Sequence, residues 1–174
     1  MMGAGKSSVG ACLRERTGLG VLDMDEIVVS KFGLSIPEIF ARHGEEKFRE
    51  AETEALRRTR TEKQTIIVTG GGVVLRQENV EILESQAVIV WLDANEKTLF
   101  ARASGKQNRP LLQTKNPRKT FSQILAARRP LYKNIADIRV DTSVLTNEEV
   151  AVAILTKLRR MNPKPESLIT IKAS

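Results

Sequence analysis

The chain has 174 residues, 41% of them hydrophobic, a length and composition that suit one domain with a single core. It has no run of about 18 apolar residues and no signal-peptide pattern at its start, so we expect no membrane partner and a cytoplasmic location. The net charge of +7 favours small anionic ligands over nucleic acid, because aromatic residues that could stack on bases are scarce.

The first segment predicts a helix, a turn and a strand. Apolar residues recur at helical spacing after Lys6, and Gly18 and Gly20 interrupt this pattern before the short apolar run 21–22. The single cysteine, Cys12, belongs to the apolar pattern of this helix and indicates packing. With a single cysteine, an internal disulfide and a cysteine-based metal site are both excluded.

Helices and strands alternate along the rest of the chain. The first strand is expected to end in Asp23-Met24-Asp25, and helices are predicted from there to about residue 32, from the capping box at Ser35 to Gly44, and over 45–62. The β-branched run 65–69 and the apolar run 87–92 are typical of buried parallel strands. We expect a helix over 95–103, a basic loop over 104–118, a helix over 119–135, a strand over 138–141 and a helix over 147–160.

This alternation predicts the α/β class, with a three-layer arrangement of a parallel sheet and helices on both faces. Ligands of such folds bind beyond the carboxyl ends of the strands. The tail 162–174 is expected to be loosely attached, although residues 168–171 could form a short edge strand.

The opening residues match the second half of a phosphate-binding loop. Gly3 and Gly5 allow successive backbone N–H groups to point at phosphate oxygens, and the helix that follows directs its positive end at the same anion. Lys6 can neutralise the outer phosphates, and Ser7 can bind Mg²⁺.

Two aspartates and a triple glycine follow predicted strands. Asp23 and Asp25 direct their carboxylates to one side while the chain stays extended, and could divide the support of Mg²⁺ and of a substrate hydroxyl between them. The alternative is that Asp25 only caps the next helix. The run Gly70-Gly71-Gly72 suggests backbone N–H groups exposed to a ligand, against the alternative of a flexible turn.

In their order along the chain, these motifs resemble the shikimate kinase family of small-metabolite kinases. The resemblance extends to about residue 160 and rests on these stretches: Gly3-Ala4-Gly5-Lys6-Ser7-Ser8, Asp23-Met24-Asp25, Phe48-Arg49, Gly70-Gly71-Gly72, Arg109-Pro110-Leu111-Leu112 and Arg128-x-Pro130-Leu131-Tyr132. It implies one domain over residues 1–161, with substrate-binding helices over about 25–55 and a mobile lid over about 104–118.

The resemblance also implies transfer of the γ-phosphate of ATP to the 3-hydroxyl of shikimate, with Mg²⁺ as cofactor. Asp25 would bind the substrate hydroxyls and act as base, and Arg49 and Arg128 would bind the shikimate carboxylate. Backbone groups of the triple glycine would contribute further contacts.

For the nucleotide, the resemblance implies binding by the loop Gly3 to Ser8, with Lys6 also catalytic. Ser7 and Asp23 would support the metal. Arg109 on the lid would reach the transferred phosphate, and Arg102 would flank the adenine. The family resemblance suggests a monomer.

The sequence departs from the family pattern at its start. In the family a strand and a glycine come immediately before the position of Met1, and that strand lies in the middle of the sheet. We therefore expect the native polypeptide to begin upstream. The alternative is that residues 168–171 fill the vacant position.

Three other functions fit parts of the sequence. A kinase of the same fold could act on another small metabolite such as gluconate, although a gluconate site need not contain both Arg49 and Arg128. A relative without catalysis would not need to retain Lys6, Ser7 and both aspartates. A basic nucleic-acid-binding domain would show salt-sensitive affinity for DNA or RNA.

Overall fold

The computed structural model of the protein describes residues 1–59, 64–105, 110–161 and 168–173. Within these ranges the α-helices are α1 (Lys6–Thr17), α2 (Met24–Phe32), α3 (Ile36–Arg57), α4 (Gln77–Gln86), α5 (Glu96–Ser104), α6 (Pro117–Ile135) and α7 (Asn147–Met161). Short 3-10 turns occur at Val73–Leu75 and Pro110–Leu112. None of the helices in these ranges combines the length and the apolar content that a bilayer crossing requires.

The described strands form one parallel sheet. They are β1 (Gly20–Asp23), β2 (Thr65–Val68), β3 (Ala87–Asp93), β4 (Ile138–Asp141) and β5 (Leu168–Ala173), and their spatial order is β1-β2-β5-β3-β4. All of β2 and all of β3 after Ala87 are buried. Because side chains alternate between the faces of a strand, burial of consecutive residues requires helices on both faces. The α/β class expected from the sequence is confirmed.

The last strand, β5, lies in the middle of the sheet. Ile171 aligns with Val68 of β2 on one side and with Val90 of β3 on the other. The N–H of Thr69 donates to the carbonyl of Ile171 at 3.3 Å. Within the described residues no strand precedes α1, and β5 supplies the hydrogen-bond partners that β2 and β3 need at this position.

This placement corrects the expectation of a loosely attached tail. Residues 168–173 are neither loose nor at an edge, because the β-branched run Ile169-Thr170-Ile171 has an open strand on each side to pair with. Residues 168–171 instead occupy the vacant central position of the sheet, as the alternative expectation stated. Residues 162–167 lie outside the described part of the chain.

Three further boundaries differ from the sequence-based expectation. The two helices expected on either side of Gly44 form one kinked helix, α3, in which Gly44 has φ 81° and ψ 167°. Helix α4 was missed, although Val80 and Leu83 have helical spacing and are buried. The basic loop is shorter than expected, because Asn116 caps α6 by accepting a hydrogen bond from the N–H of Lys119.

Candidate active site

The loop that the sequence predicts to bind phosphate contains two glycines in backbone conformations that other residues rarely adopt. Gly3 and Gly5 have φ of 84° and 83°. A β-carbon on Gly3 would stand 2.3 Å from the carbonyl oxygen of Leu99, a backbone atom that cannot move aside. The loop therefore needs glycine at residue 3 for both conformation and space. Gly5 then caps α1, so the helix directs its first N–H groups into the loop.

Two side chains at the start of α1 are held by neighbouring groups. The Lys6 ammonium donates to the carbonyl of Met1 at 3.3 Å, across the loop. The Ser7 hydroxyl donates to Asp23 Oδ2 at 3.0 Å, which joins the loop to the carboxyl end of β1. Ser7 and Asp23, which are expected to support the metal together, therefore lie in contact in the fold.

The sequence predicted both aspartates on an extended chain, and the structure differs. Met24 already begins α2, and Asp23 caps this helix by accepting a hydrogen bond from the N–H of Asp25 at 3.0 Å. The helix cap is therefore Asp23 and not Asp25. This turn sends Asp23 toward Ser7 and Asp25 toward Gly70, so the two carboxylates serve adjacent regions.

An open cavity of about 530 Å³ lies at the phosphate-binding loop. We call it the loop cavity. It is lined by Gly3, Gly5, Lys6, Ser7, Ser8, Arg102, Leu145, Thr146 and Asn147. Its volume is in the range of small-molecule sites. Six of the residues expected at a nucleotide are among those lining it. Ala4 is buried, and Arg109 lies outside the described residues.

The far wall of the loop cavity was not foreseen from the sequence. It is formed by residues 145–147, where α7 begins, and a β-carbon on Gly5 would stand 3.2 Å from Asn147 Oδ1. Arg102 is held there by hydrogen bonds to the hydroxyl and the carbonyl of Thr142. Short polar stretches such as 142–147 carry no periodic signal that could have identified them.

A second, smaller cavity of about 80 Å³ is lined by all of the predicted substrate-binding residues. We call it the arginine cavity. The residues lining it are Met2, Asp25, Ile36, Phe40, Phe48, Arg49, Gly70, Gly71, Gly72, Pro110, Leu111 and Arg128. The fold thus brings together Asp25, both arginines and the triple glycine, which are far apart in sequence.

Each residue of the triple glycine faces a different group of the site. A β-carbon on Gly70 would stand 2.7 Å from Glu52 Oε1 and 3.0 Å from Asp25 Oδ1. On Gly72 it would stand 2.3 Å from the guanidinium of Arg49. None of the three has positive φ, so glycine is required here for close approach rather than for conformation. A side chain at residue 70 or 72 would collide with these groups.

Arg49 is fixed by two glutamates that the sequence argument did not identify. Its guanidinium bonds Glu52 at 2.8 Å and Glu45 at 3.1 Å, one turn away on either side along α3. Glu52 is 1% exposed, and its Oε1 has no hydrogen-bond partner among the described residues. Burial raises the pKa of Glu52, and the charge of Arg49 opposes that effect. The helical spacing of Glu45 and Glu52 from Arg49 is the feature of the sequence from which these ion pairs could have been predicted.

Comparison with known proteins identifies the family. A model of the family "Shikimate kinase" matches residues 2–159. The chain belongs to the shikimate kinase family. The shikimate kinase of Thermodesulfovibrio yellowstonii is 42% identical over 161 residues, which are 92% of each chain, and that of Symbiobacterium thermophilum is 40% identical over 161 residues, 91% of this chain and 92% of that one.

Solved shikimate kinase structures have the same fold. The enzyme of Acinetobacter baumannii, in complex with shikimate, superposes with a TM-score of 0.88 at 34% identity, covering 94% of this chain and 91% of that chain. The enzyme of Aquifex aeolicus superposes with a TM-score of 0.81 at 33% identity, covering 93% and 94%.

In this member of the shikimate kinase family, two residues of the segment 104–118, where a lid is expected, line the arginine cavity. Pro110 and Leu111 of the second 3-10 turn line it. Leu112 is buried, which anchors the turn. The preceding residues 106–109, including the predicted catalytic Arg109, lie outside the described part of the chain.

The residues beside the phosphate-binding loop fit the Mg²⁺ that a shikimate kinase uses with ATP. Ser7 and Asp23 place a hydroxyl and a carboxylate 3.0 Å apart, and Mg²⁺ takes such hard oxygen donors. In the described ranges no three His, Cys, Asp or Glu side chains cluster into a metal cage. A magnesium ion bound with a nucleotide needs none, because phosphate oxygens and waters complete its shell.

Proposed function

We propose that this protein transfers the γ-phosphate of ATP to the 3-hydroxyl of shikimate, which gives shikimate 3-phosphate on the route to chorismate and the aromatic amino acids. The observation that carries the proposal is the contact between the two cavities. Ser7 of the loop cavity bonds Asp23, whose second oxygen accepts the N–H of Asp25 of the arginine cavity. A phosphate and an acceptor hydroxyl bound in these cavities would meet at this contact.

The loop cavity suits the phosphates of ATP. Backbone N–H groups of residues 3–8 and the start of α1 favour negative charge, and Lys6 adds a cation that can leave the Met1 carbonyl for a phosphate oxygen. We assign nucleotide binding to Gly3, Ala4, Gly5, Lys6, Ser7, Ser8, Arg102 and Arg109. Arg109 is placed there by its match to the family motif alone.

The arginine cavity suits a small hydroxylated acid. Arg49 and Arg128 are each only 7% exposed, so their charges are little screened by water inside the cavity. Guanidinium groups bind carboxylates with paired hydrogen bonds, which favours an acid such as shikimate over a neutral sugar. We assign substrate binding to Asp25, Arg49, Gly70, Gly71, Gly72 and Arg128.

Asp25 is the group we assign to the acceptor hydroxyl. It lies in the arginine cavity and is joined to the loop cavity through its own N–H. From there a carboxylate can accept a hydrogen bond from the 3-hydroxyl, orient it toward the phosphate, and receive its proton during transfer. The remaining catalysis is positioning and charge stabilisation by Lys6 and Arg109.

Mg²⁺ bound with ATP would be held by the Ser7 hydroxyl, with Asp23 in support, and would neutralise phosphate charge. For this, the Ser7 hydroxyl must turn from Asp23 so that its oxygen faces the metal. The monomeric state and the cytoplasmic location expected from the sequence belong to the same proposal, as does the absence of a nucleic-acid partner.

A coupled assay of ADP release tests this proposal. With ATP and Mg²⁺, we expect turnover that depends on shikimate and is absent with gluconate. Turnover with gluconate alone would favour a different small-metabolite kinase. ATP and shikimate binding without turnover would favour a relative that has lost catalysis.

A further inference from the structure

We propose that Tyr132 is a positioning residue for the shikimate site, one that sets the triple-glycine turn and Arg128 in register through its hydroxyl. This inference rests on the proposed function, because the site it serves is the arginine cavity. Tyr132 does not line that cavity and acts through its neighbours.

The Tyr132 hydroxyl joins two parts of the site that come from different elements. It donates to the carbonyl oxygen of Gly71 at 2.6 Å. The guanidinium of Arg128, one turn earlier on α6, is close enough to act electrostatically on this hydroxyl. The side chain is fully buried, so water does not compete for the bond to Gly71. One hydroxyl therefore links the turn after β2 to the helix that carries Arg128.

The turn has little freedom to move without disturbing its neighbours. A β-carbon on Gly71 would stand 3.4 Å from the Tyr132 hydroxyl and 3.1 Å from Met1 Cα, so the backbone here is in tight contact on both sides. The next residue, Gly72, lies directly against the guanidinium of Arg49. A shift of the Gly71 carbonyl would thus be passed to Arg49 as well as to Arg128. Tyr132 is placed to hold both guanidinium groups in one geometry.

The hydroxyl, rather than the ring, carries this role. Burial raises the pKa of Tyr132 to about 12, although Arg128 and Arg49 lower it, so the hydroxyl keeps its proton and donates to Gly71 at neutral pH. Its ring packs 6.2 Å from the ring of Trp91, a contact that phenylalanine would retain. Tyr132→Phe therefore removes the hydrogen bond to Gly71, and the polar group beside Arg128, while preserving the volume of the core.

The test compares the steady-state kinetics of Tyr132→Phe with those of the unmodified protein. Since the buried carbonyl of Gly71 would lose its donor and the turn could then shift against both arginines, we expect the KM for shikimate to rise roughly 5- to 50-fold. The KM for ATP should change less than about two-fold and kcat less than about five-fold, because the lost bond acts on substrate recognition. The dissociation constant of shikimate, measured by calorimetry without ATP, should rise by the same factor as KM.

A matched control separates positioning from general loss of stability. Leu125 lies on the same helix, is buried and lines neither cavity, and Leu125→Val removes core volume there. It should lower Tm while leaving the KM for shikimate unchanged. Equal shikimate KM values for Tyr132→Phe and the unmodified protein would overturn the inference, and so would a parallel change in both KM values and kcat. Failure of the proposed function looks different, because the unmodified protein would then not turn over shikimate.

Discussion

The guanidinium of Arg49 lies directly against Gly72. A β-carbon at residue 72 would fall 2.3 Å from its central carbon and from both terminal nitrogens. Because Arg49 is also held by Glu45 and Glu52, it cannot retreat without breaking an ion pair. The smallest possible side chain at residue 72 is therefore incompatible with the observed position of Arg49.

Gly72→Ala should weaken shikimate binding by roughly 10- to 100-fold, since it displaces a charged group from its ligand. ATP binding should be retained, because residue 72 does not line the loop cavity. Calorimetry with each ligand measures both effects. Gly20→Ala is the control, since a β-carbon there would have its nearest contact at 3.9 Å, and it should bind shikimate normally. Normal shikimate affinity in Gly72→Ala would contradict the assigned role of Arg49.

Lys6→Ala and Arg49→Ala should fail in different ways. Loss of the Lys6 charge should lower kcat at least about 100-fold, because this cation stabilises charge on the transferred phosphate. Loss of Arg49 should mainly raise the KM for shikimate, by roughly 10- to 100-fold. Initial-rate kinetics over both substrates separate the two patterns. Arg42→Ala, an exposed arginine on the same helix as Arg49, should behave like the unmodified protein.

Thr170→Val should stabilise the protein. Thr170 is fully buried in β5, and its hydroxyl has no hydrogen-bond partner among the described residues. Replacing an unpaired buried hydroxyl by a methyl group should raise the free energy of unfolding by about 1 kcal/mol. Thr59→Val is the contrast, because the buried Thr59 hydroxyl donates to the carbonyl of Leu56, and it should destabilise by a similar amount. Urea unfolding measures both, and no effect of Thr170→Val would argue against a central β5.

We expect Tyr132 to lose its proton at a higher pH than an ordinary tyrosine. It is the one tyrosine in the chain, so the ultraviolet absorbance of tyrosinate reports on it alone. Its pKa is raised from 10.0 to about 12, so the folded protein keeps the proton where the unfolded chain loses it. The free energy of unfolding should therefore fall above pH 10, with this group contributing up to about 1.4 kcal/mol per pH unit. Absorbance that rises with a midpoint near 10 in the folded protein would contradict the burial of its hydroxyl.

The sequence predicted the parts of the site that short motifs identify. Gly3, Gly5 and Lys6 were assigned to a phosphate site because glycine-rich turns before a helix have one dominant use. The residues at the arginine cavity followed from the family resemblance. Glu52 was missed and Tyr132 was matched only as part of a motif, without a role, since neither a glutamate on a charged helix nor a tyrosine in a helix indicates its partners without the fold.

The position of β5 could not be derived from local sequence. A four-residue run with three β-branched residues predicts a strand, but its neighbours depend on which other strands are left unpaired. Only the three-dimensional arrangement, with β2 and β3 flanking Ile171, decides between an edge and a central position. The same limit applies to Asp23, whose role as helix cap follows from the start of α2 at the next residue.

Phosphorus NMR of the reaction mixture tests the central claim most directly, because it follows the fate of the γ-phosphate itself. With the protein, Mg²⁺, ATP and shikimate, the γ-phosphate signal should disappear as ADP and one new phosphomonoester signal grow in equal amounts. Without shikimate, ATP should persist. Release of inorganic phosphate without shikimate, or unchanged ATP with every component present, would contradict the assignment of the two cavities to the two substrates.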